Sequence, residues 1–174
     1  MKKTQLLMIF LLVSGISIAF AQKHNVKKTL VKPTKEETES WIISKFNDYK
    51  NPSVATWDLS FSNDDIIIKV GLQFNNSINY VYSIIHIKEI ESMNYSYYEP
   101  GKTYSLNFKA RNDEKLFIIS NNYPPKDYIE YKNELGLPFS ITIEENNMKN
   151  RIYQAFERLL EIHGVKFNKV KEVF

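Results

Sequence analysis

The chain is predicted to fold as α+β, with a helix near each end and antiparallel strands between them. Three observations predict it. Apolar residues recur at helical spacing from Trp41 to Tyr49 and again from Met148 to Ile162. Between those stretches the period drops to two, most plainly where Ile66, Ile68, Val70, Leu72 and Phe74 alternate with Ile67, Lys69, Gly71 and Gln73. Asn- and Asp-rich turns divide the alternating runs at short intervals, which suits hairpins rather than crossover connections. The length of 174 residues allows one domain, or two very small ones.

The first element is an export signal. Lys2 and Lys3 form a positive start, Leu6 to Phe20 is an almost wholly apolar stretch, and Ala19-Phe20-Ala21 is a small-x-small cleavage pattern. That apolar stretch is 15 residues, interrupted by Ser14, Gly15 and Ser17, whereas a spanning helix needs about 20. Cleavage after Ala21 leaves 153 residues and lowers the net charge from +3 to +1. The mature chain is therefore expected in the periplasm or outside the cell, without a stable membrane anchor. Residues 22–33 form a basic leader, with Lys23, Lys27, Lys28 and Lys32 solvated and no clear period.

Residues 34–164 form the domain. Thr34 opens the first helix, because Thr34-x-x-Glu37 fits a capping box, and Asn51-Pro52 closes it. Trp57, Leu59 and Phe61 begin the sheet, Asn63-Asp64-Asp65 turns the chain, and Ile66 to Phe74 is the clearest strand. Asn75-Asn76-Ser77 turns it again into Ile78 to Lys88. Tyr104 to Ala110 pairs through an Arg111–Glu114 hairpin loop with Lys115 to Ser120. Asn121 to Gly136, with Pro124-Pro125, is expected as a surface excursion, and Leu137 to Ile143 as the last strand. These make about six strands in an antiparallel meander. The final helix runs from about Asn146 to His163, capped by Asn146 or Asn147, with Gly164 as its left-handed terminator. Residues 165–174 are a short basic tail.

Composition removes several chemistries. There is no cysteine, so disulfides, thiolate zinc sites, iron–sulfur ligation and cysteine nucleophiles are excluded. A net charge of +3 is too dilute for nucleic acid. His24, His86 and His163 show no metal-binding spacing, and His163 suits the negative end of the last helix. The acidic pairs Asp64/Asp65, Glu36/Glu37 and Glu144/Glu145 all fall at turns or helix starts, where local structure explains them. No GxSxG, GxGxxG or P-loop occurs. An enzyme built from dispersed residues would need a cleft that gathers His86 with two acids.

The candidate ligand or partner contacts are Tyr95, Tyr97, Tyr98 and Tyr104 around Glu99-Pro100-Gly101, since exposed tyrosines present large rigid surfaces at low entropy cost. Asn75-Asn76-Ser77 and Asn94-Tyr95-Ser96 match glycosylation sequons and are read as turn chemistry.

The stretches Thr34-Lys-Glu-Glu-Thr-Glu-Ser-Trp-Ile-Ile-Ser-Lys-Phe and Asn150-Arg-Ile-Tyr-Gln-Ala-Phe-Glu-Arg-Leu-Leu resemble those of small exported proteins of gram-negative bacteria. Their architecture is similar to the pleckstrin-homology-like (PH-like) domain, in which a C-terminal helix caps an antiparallel sheet or partly open barrel. The resemblance covers Thr34 to Gly164. A PH-like domain has seven strands and a basic first hairpin for lipid headgroups; Asn63-Asp64-Asp65 is acidic, so that role is not implied here. The resemblance implies a non-catalytic, monomeric binding domain for a protein or envelope component, with no cofactor and no metal. The alternatives are a lipocalin-like barrel for an apolar ligand, although the Gly-x-Trp of that family is replaced by Ala55-Thr56-Trp57, and a hydrolase with dispersed acids.

Overall fold

The computed structural model describes residues 32–51, 56–74, 77–126 and 128–166. The export signal, nearly all of the basic leader, the Asn75-Asn76 turn and residues 167–174 of the tail lie outside these. The chain divides into two compact units, 1–32 and 33–174, and every element below belongs to the second.

Helix α1 (Lys35–Tyr49) starts as the capping box requires. The Glu37 amide donates to Thr34 Oγ1 at 3.2 Å, and the Thr34 amide donates to Glu37 Oε2 at 2.9 Å. Thr38, Ile42 and Phe46, four residues apart, are its buried face. Strands β1 (Thr56–Ser62), β2 (Asp65–Phe74) and β3 (Ser77–His86) form an antiparallel run. Asn63 turns the first hairpin at φ 56°, a left-handed conformation that Asn tolerates.

From there the chain departs from a single meander. A 3₁₀ turn, Ile87–Glu89, with Ile87 buried, carries it out of the first sheet into β4 (Ile90–Tyr98), which pairs with β5 (Thr103–Ala110). Arg111–Asp113 then brings it back, so β6 (Phe117–Ser120) pairs with β3 and not with β5. The expected Arg111–Glu114 hairpin is instead a connection between sheets. Strand β7 (Ile129–Lys132) pairs with β6, and β8 (Glu134–Ser140) crosses once more to pair with β5. The result is a five-stranded sheet, β1-β2-β3-β6-β7, and a three-stranded sheet, β4-β5-β8, both open and antiparallel.

Among the described residues there are thus eight strands where six were expected. The proposed excursion at Asn121–Gly136 contains β7 and the start of β8. The last strand ends at Ser140, and Ile141–Asn147 is 3₁₀ with Ile143 buried. Helix α2 (Met148–Ile162) begins two residues later than expected. Asn147 holds the N-cap position at φ 57°, yet its side chain accepts a bond from Asn150 Nδ2 at 2.6 Å rather than capping the helix. Gly164, at φ +72°, terminates it as expected. Gly164 N–H bonds Glu161 O and Val165 N–H bonds Leu160 O, the paired bonds of a Schellman motif.

One core unites these elements. Leu59, Ile66, Ile68, Ile85 and Phe117 face it from the five-stranded sheet, and Met93, Leu106, Phe108, Leu137 and Phe139 from the three-stranded one. Both helices cover it. Phe46 of α1 meets Phe139 edge-on at 5.8 Å, and Phe156 of α2 meets Phe108 at 5.2 Å. Each such phenylalanine, burying its full side chain, contributes about 1.5–3 kcal/mol.

Candidate binding surfaces

The four candidate tyrosines separate by strand register. Tyr95 and Tyr97 on β4 oppose Leu106 and Tyr104 on β5, all on the core side of the three-stranded sheet. Tyr95 packs against the core and its hydroxyl donates to Lys149 O at 3.2 Å. Tyr104 stacks obliquely on Tyr97 at 4.7 Å and donates its hydroxyl to Glu144 Oε1. The Lys149 ammonium lies 4.8 Å from the Tyr104 ring centre and 5.4 Å from that of Tyr95. Three tyrosines therefore form one cluster that seats the first turn of α2, joined by Tyr153, which the sequence pattern did not single out. Tyr98 stands apart on the opposite face, 64 % exposed at the hairpin tip.

Electrostatics in the cluster follow from those contacts. The bond to the Glu144 carboxylate, with partial desolvation, pushes the Tyr104 phenol up to about 12. Burial raises Tyr95 as well, and desolvation with the Glu99 carboxylate raises Tyr97. These phenols stay neutral hydrogen-bonding groups through the whole physiological range.

Asn94 of the second sequon lies within β4, opposite Asn107. It is a strand residue rather than turn chemistry. The outer row there is polar: Ser105 Oγ donates to Asn107 Oδ1 at 2.7 Å, and Asn107 Nδ2 to Ser96 Oγ at 3.0 Å.

The β1–β2 turn brings two histidines to two acids. His86 Nδ1 lies 2.7 Å from Asp65 Oδ1, and His163 Nδ1 lies 3.0 Å from Asp64 Oδ1. A carboxylate only accepts, so each Nδ1 carries the proton. Lys88 donates to the other oxygen of Asp64 and holds that carboxyl below its ordinary range. His163 thus does more than complement a helix end: its side chain, 5 % exposed, ties the end of α2 to the first hairpin. An open cleft of about 440 Å³ beside this turn is lined by Asp64, Asp65, His86, Lys88 and Tyr131 among others. It gathers His86 with two acids, the arrangement an enzyme reading requires. Among the described residues that line it there is no serine, threonine or cysteine to serve as a nucleophile. Asp64 is already engaged by Lys88 and His163, and no described group of three His, Asp or Glu side chains is placed to hold a metal. These contacts tie the end of α2 and the Ile87–Glu89 turn to the β1–β2 turn.

The outer face of the five-stranded sheet carries several exposed apolar and aromatic side chains. Ile67 and Ile84, directly paired, are buried at its centre outside the main core. Around them Ile78, Tyr80, Ile129 and Tyr131 are 49 %, 38 %, 39 % and 53 % exposed. Tyr123, from the segment after β6, leans on Tyr82 at 6.3 Å. Strand alternation from Ile78 to Tyr82 carried the signal for this face, but β7 was needed to complete it. A second open cleft, of about 580 Å³, lies where the end of α1, the start of β1 and the end of β8 converge, and Tyr80 reaches its rim. Among the described residues no helix is long and apolar enough to cross a membrane.

Comparison with protein-family models, curated proteins and solved structures returns no match.

Proposed function

We propose that the chain is a non-catalytic binding domain, exported by means of residues 1–21, that engages a protein of the cell envelope through the outer face of its five-stranded sheet. The observation that carries this reading is the apolar and aromatic surface of Ile78, Tyr80, Ile129 and Tyr131 on a sheet whose other face already packs on the core. A contiguous apolar surface on a folded domain marks an interaction site, and tyrosine is enriched in such interfaces. The PH-like resemblance enters through α2, which packs on the three-stranded sheet by way of Phe156 and Phe108. Tyr98, the most exposed of the sequence-derived tyrosines, extends the contact region in this reading, while Tyr95 and Tyr104 position α2.

The test pairs Ile78→Ser with Tyr131→Ser. Both side chains are exposed, so the double variant keeps its urea midpoint. The proposal expects an envelope protein captured by in-cell cross-linking of the wild type to be lost from the variant. Equal capture by the two proteins refutes the assignment of the face. Export is checked separately by mass spectrometry of the periplasmic and medium fractions. A mature N-terminus at Gln22 is expected, and a full-length cytoplasmic chain refutes export.

A further inference from the structure

We infer that the cleft between the end of α1, the start of β1 and the end of β8 is a binding site for a neutral, polyhydroxylated ligand, a saccharide. Its lining decides the chemistry. Two carboxylates (Asp48, Asp58) and two amides (Asn47, Asn51) stand around it with three hydroxyl side chains, while Trp57 and Tyr80 supply aromatic surface. No Leu, Ile, Val, Met or Phe is among its described lining residues, which disfavours a lipid or other apolar ligand. The one lysine, Lys50, is already bonded to Trp57 O at 2.8 Å and Asn47 Oδ1 at 3.1 Å. Asp48 is paired with the Lys45 ammonium, and the remaining carboxylate, Asp58, is balanced by Lys50, so the lining carries no surplus of charge to attract an anion or a cation.

What remains is a ligand with many hydroxyls and no charge. Carboxylates accept from, and amides both donate to and accept from, vicinal hydroxyls, and aromatic rings pack against the C–H faces of a pyranose. The ring of Tyr80 is held in place by the Lys69 ammonium, 4.0 Å from its centre on one side. Asn51 Nδ2 is tied to Thr103 Oγ1 at 2.8 Å, which anchors the α1 end of the cleft to β5. The volume of about 580 Å³ falls inside the range of ligand clefts, about 300–1,000 Å³. Its openness to solvent suits one or two rings of a longer chain. This inference goes beyond the sheet-face reading, since neither Ile78 nor Tyr131 lines the cleft.

The protein has two tryptophans, Trp41 and Trp57. Trp41 belongs to the helix pair, with the Arg151 guanidinium 5.7 Å from its ring, so Trp41→Phe leaves Trp57 as the reporter of the cleft. That variant is titrated with neutral di- to tetrasaccharides of gluco, galacto and manno configuration, with and without N-acetyl groups. Inorganic phosphate and decanoate serve as the anionic and apolar probes. A saturable change in Trp57 emission with at least one saccharide is expected, and none with phosphate or decanoate. Asp58→Asn and Tyr80→Leu, each added to Trp41→Phe, weaken that affinity tenfold or more without moving the urea midpoint. The inference is overturned if no saccharide saturates, if phosphate or decanoate binds instead, or if both variants bind as well as the parent. Such a failure leaves the sheet-face reading standing, because its own variants lie elsewhere.

Discussion

Gly136 shows how closely single residues are fitted. It sits in β8 opposite Asn107, and a Cβ there would lie 2.3 Å from Ser105 Oγ and 2.6 Å from Asn107 Oδ1. Those two atoms are hydrogen-bonded to each other, so an alanine must break that bond to make room. Gly136→Ala is expected to cost about 1–3 kcal/mol, in the range for overpacking, read as a lower urea midpoint. Phe156→Ala removes a fully buried ring that meets Phe108 and is expected to cost about 3–5 kcal/mol by the same measurement. Tyr104 yields a pH prediction. Its folded-state value is raised to about 12 from 10.0 by the bond to Glu144. Stability from the neutral phenol is therefore fully present below pH 10.0 and is lost as pH rises toward about 12. Phenolate absorbance should show a late-titrating tyrosine that moves earlier in Glu144→Gln. An unchanged titration would mean the bond does not control it.

Elements were legible wherever their signals are local. The capping box at Thr34 and Glu37 depends on groups three residues apart, so the motif and the structure coincide. Thr34→Ala should lower stability by about 1 kcal/mol, because it strips the Glu37 amide of its acceptor at an exposed helix start. The Gly164 terminator was equally plain, since only a residue free of a Cβ adopts φ +72° readily. Strand β4 is absent from the expected six, although Met93, Tyr95 and Tyr97 alternate with Asn94 and Ser96. The bulge between Ile90 and Ser92 breaks the alternation at its start. Strand β7 is four residues long and follows Pro124-Pro125, too short for a period to show. At the other end of β8, Ile141 and Ile143 keep strand-like spacing but fall in a 3₁₀ segment, because the chain there must turn into α2.

At the scale of the whole molecule, the β1–β2 turn is where distant parts of the chain meet. Lys35 Nζ donates to Asn63 O at 2.9 Å, Lys88 and His163 both reach Asp64, and His86 reaches Asp65. Asp64 has a lowered pKa, chiefly through its bond to Lys88. Its ionised form therefore stabilises the fold above the ordinary aspartate range, and that contribution is lost as pH falls through the lower folded value. Asp64→Asn is expected to flatten the acid limb of the stability profile and to loosen the end of α2, seen as faster amide exchange at Leu159 and Leu160. Unchanged exchange there would show that these contacts do not hold the helix. The α+β class, the helix ends and the strongest strands could be read from the chain alone, because each rests on groups within about four residues or on strict alternation. Pairing β6 with β3 and β8 with β5, and with it both clefts and the open sheet face, could not be read that way. An alternating strand buries the same face against any neighbour, and the partner is selected by how one shared core fills, which short-range spacing does not encode.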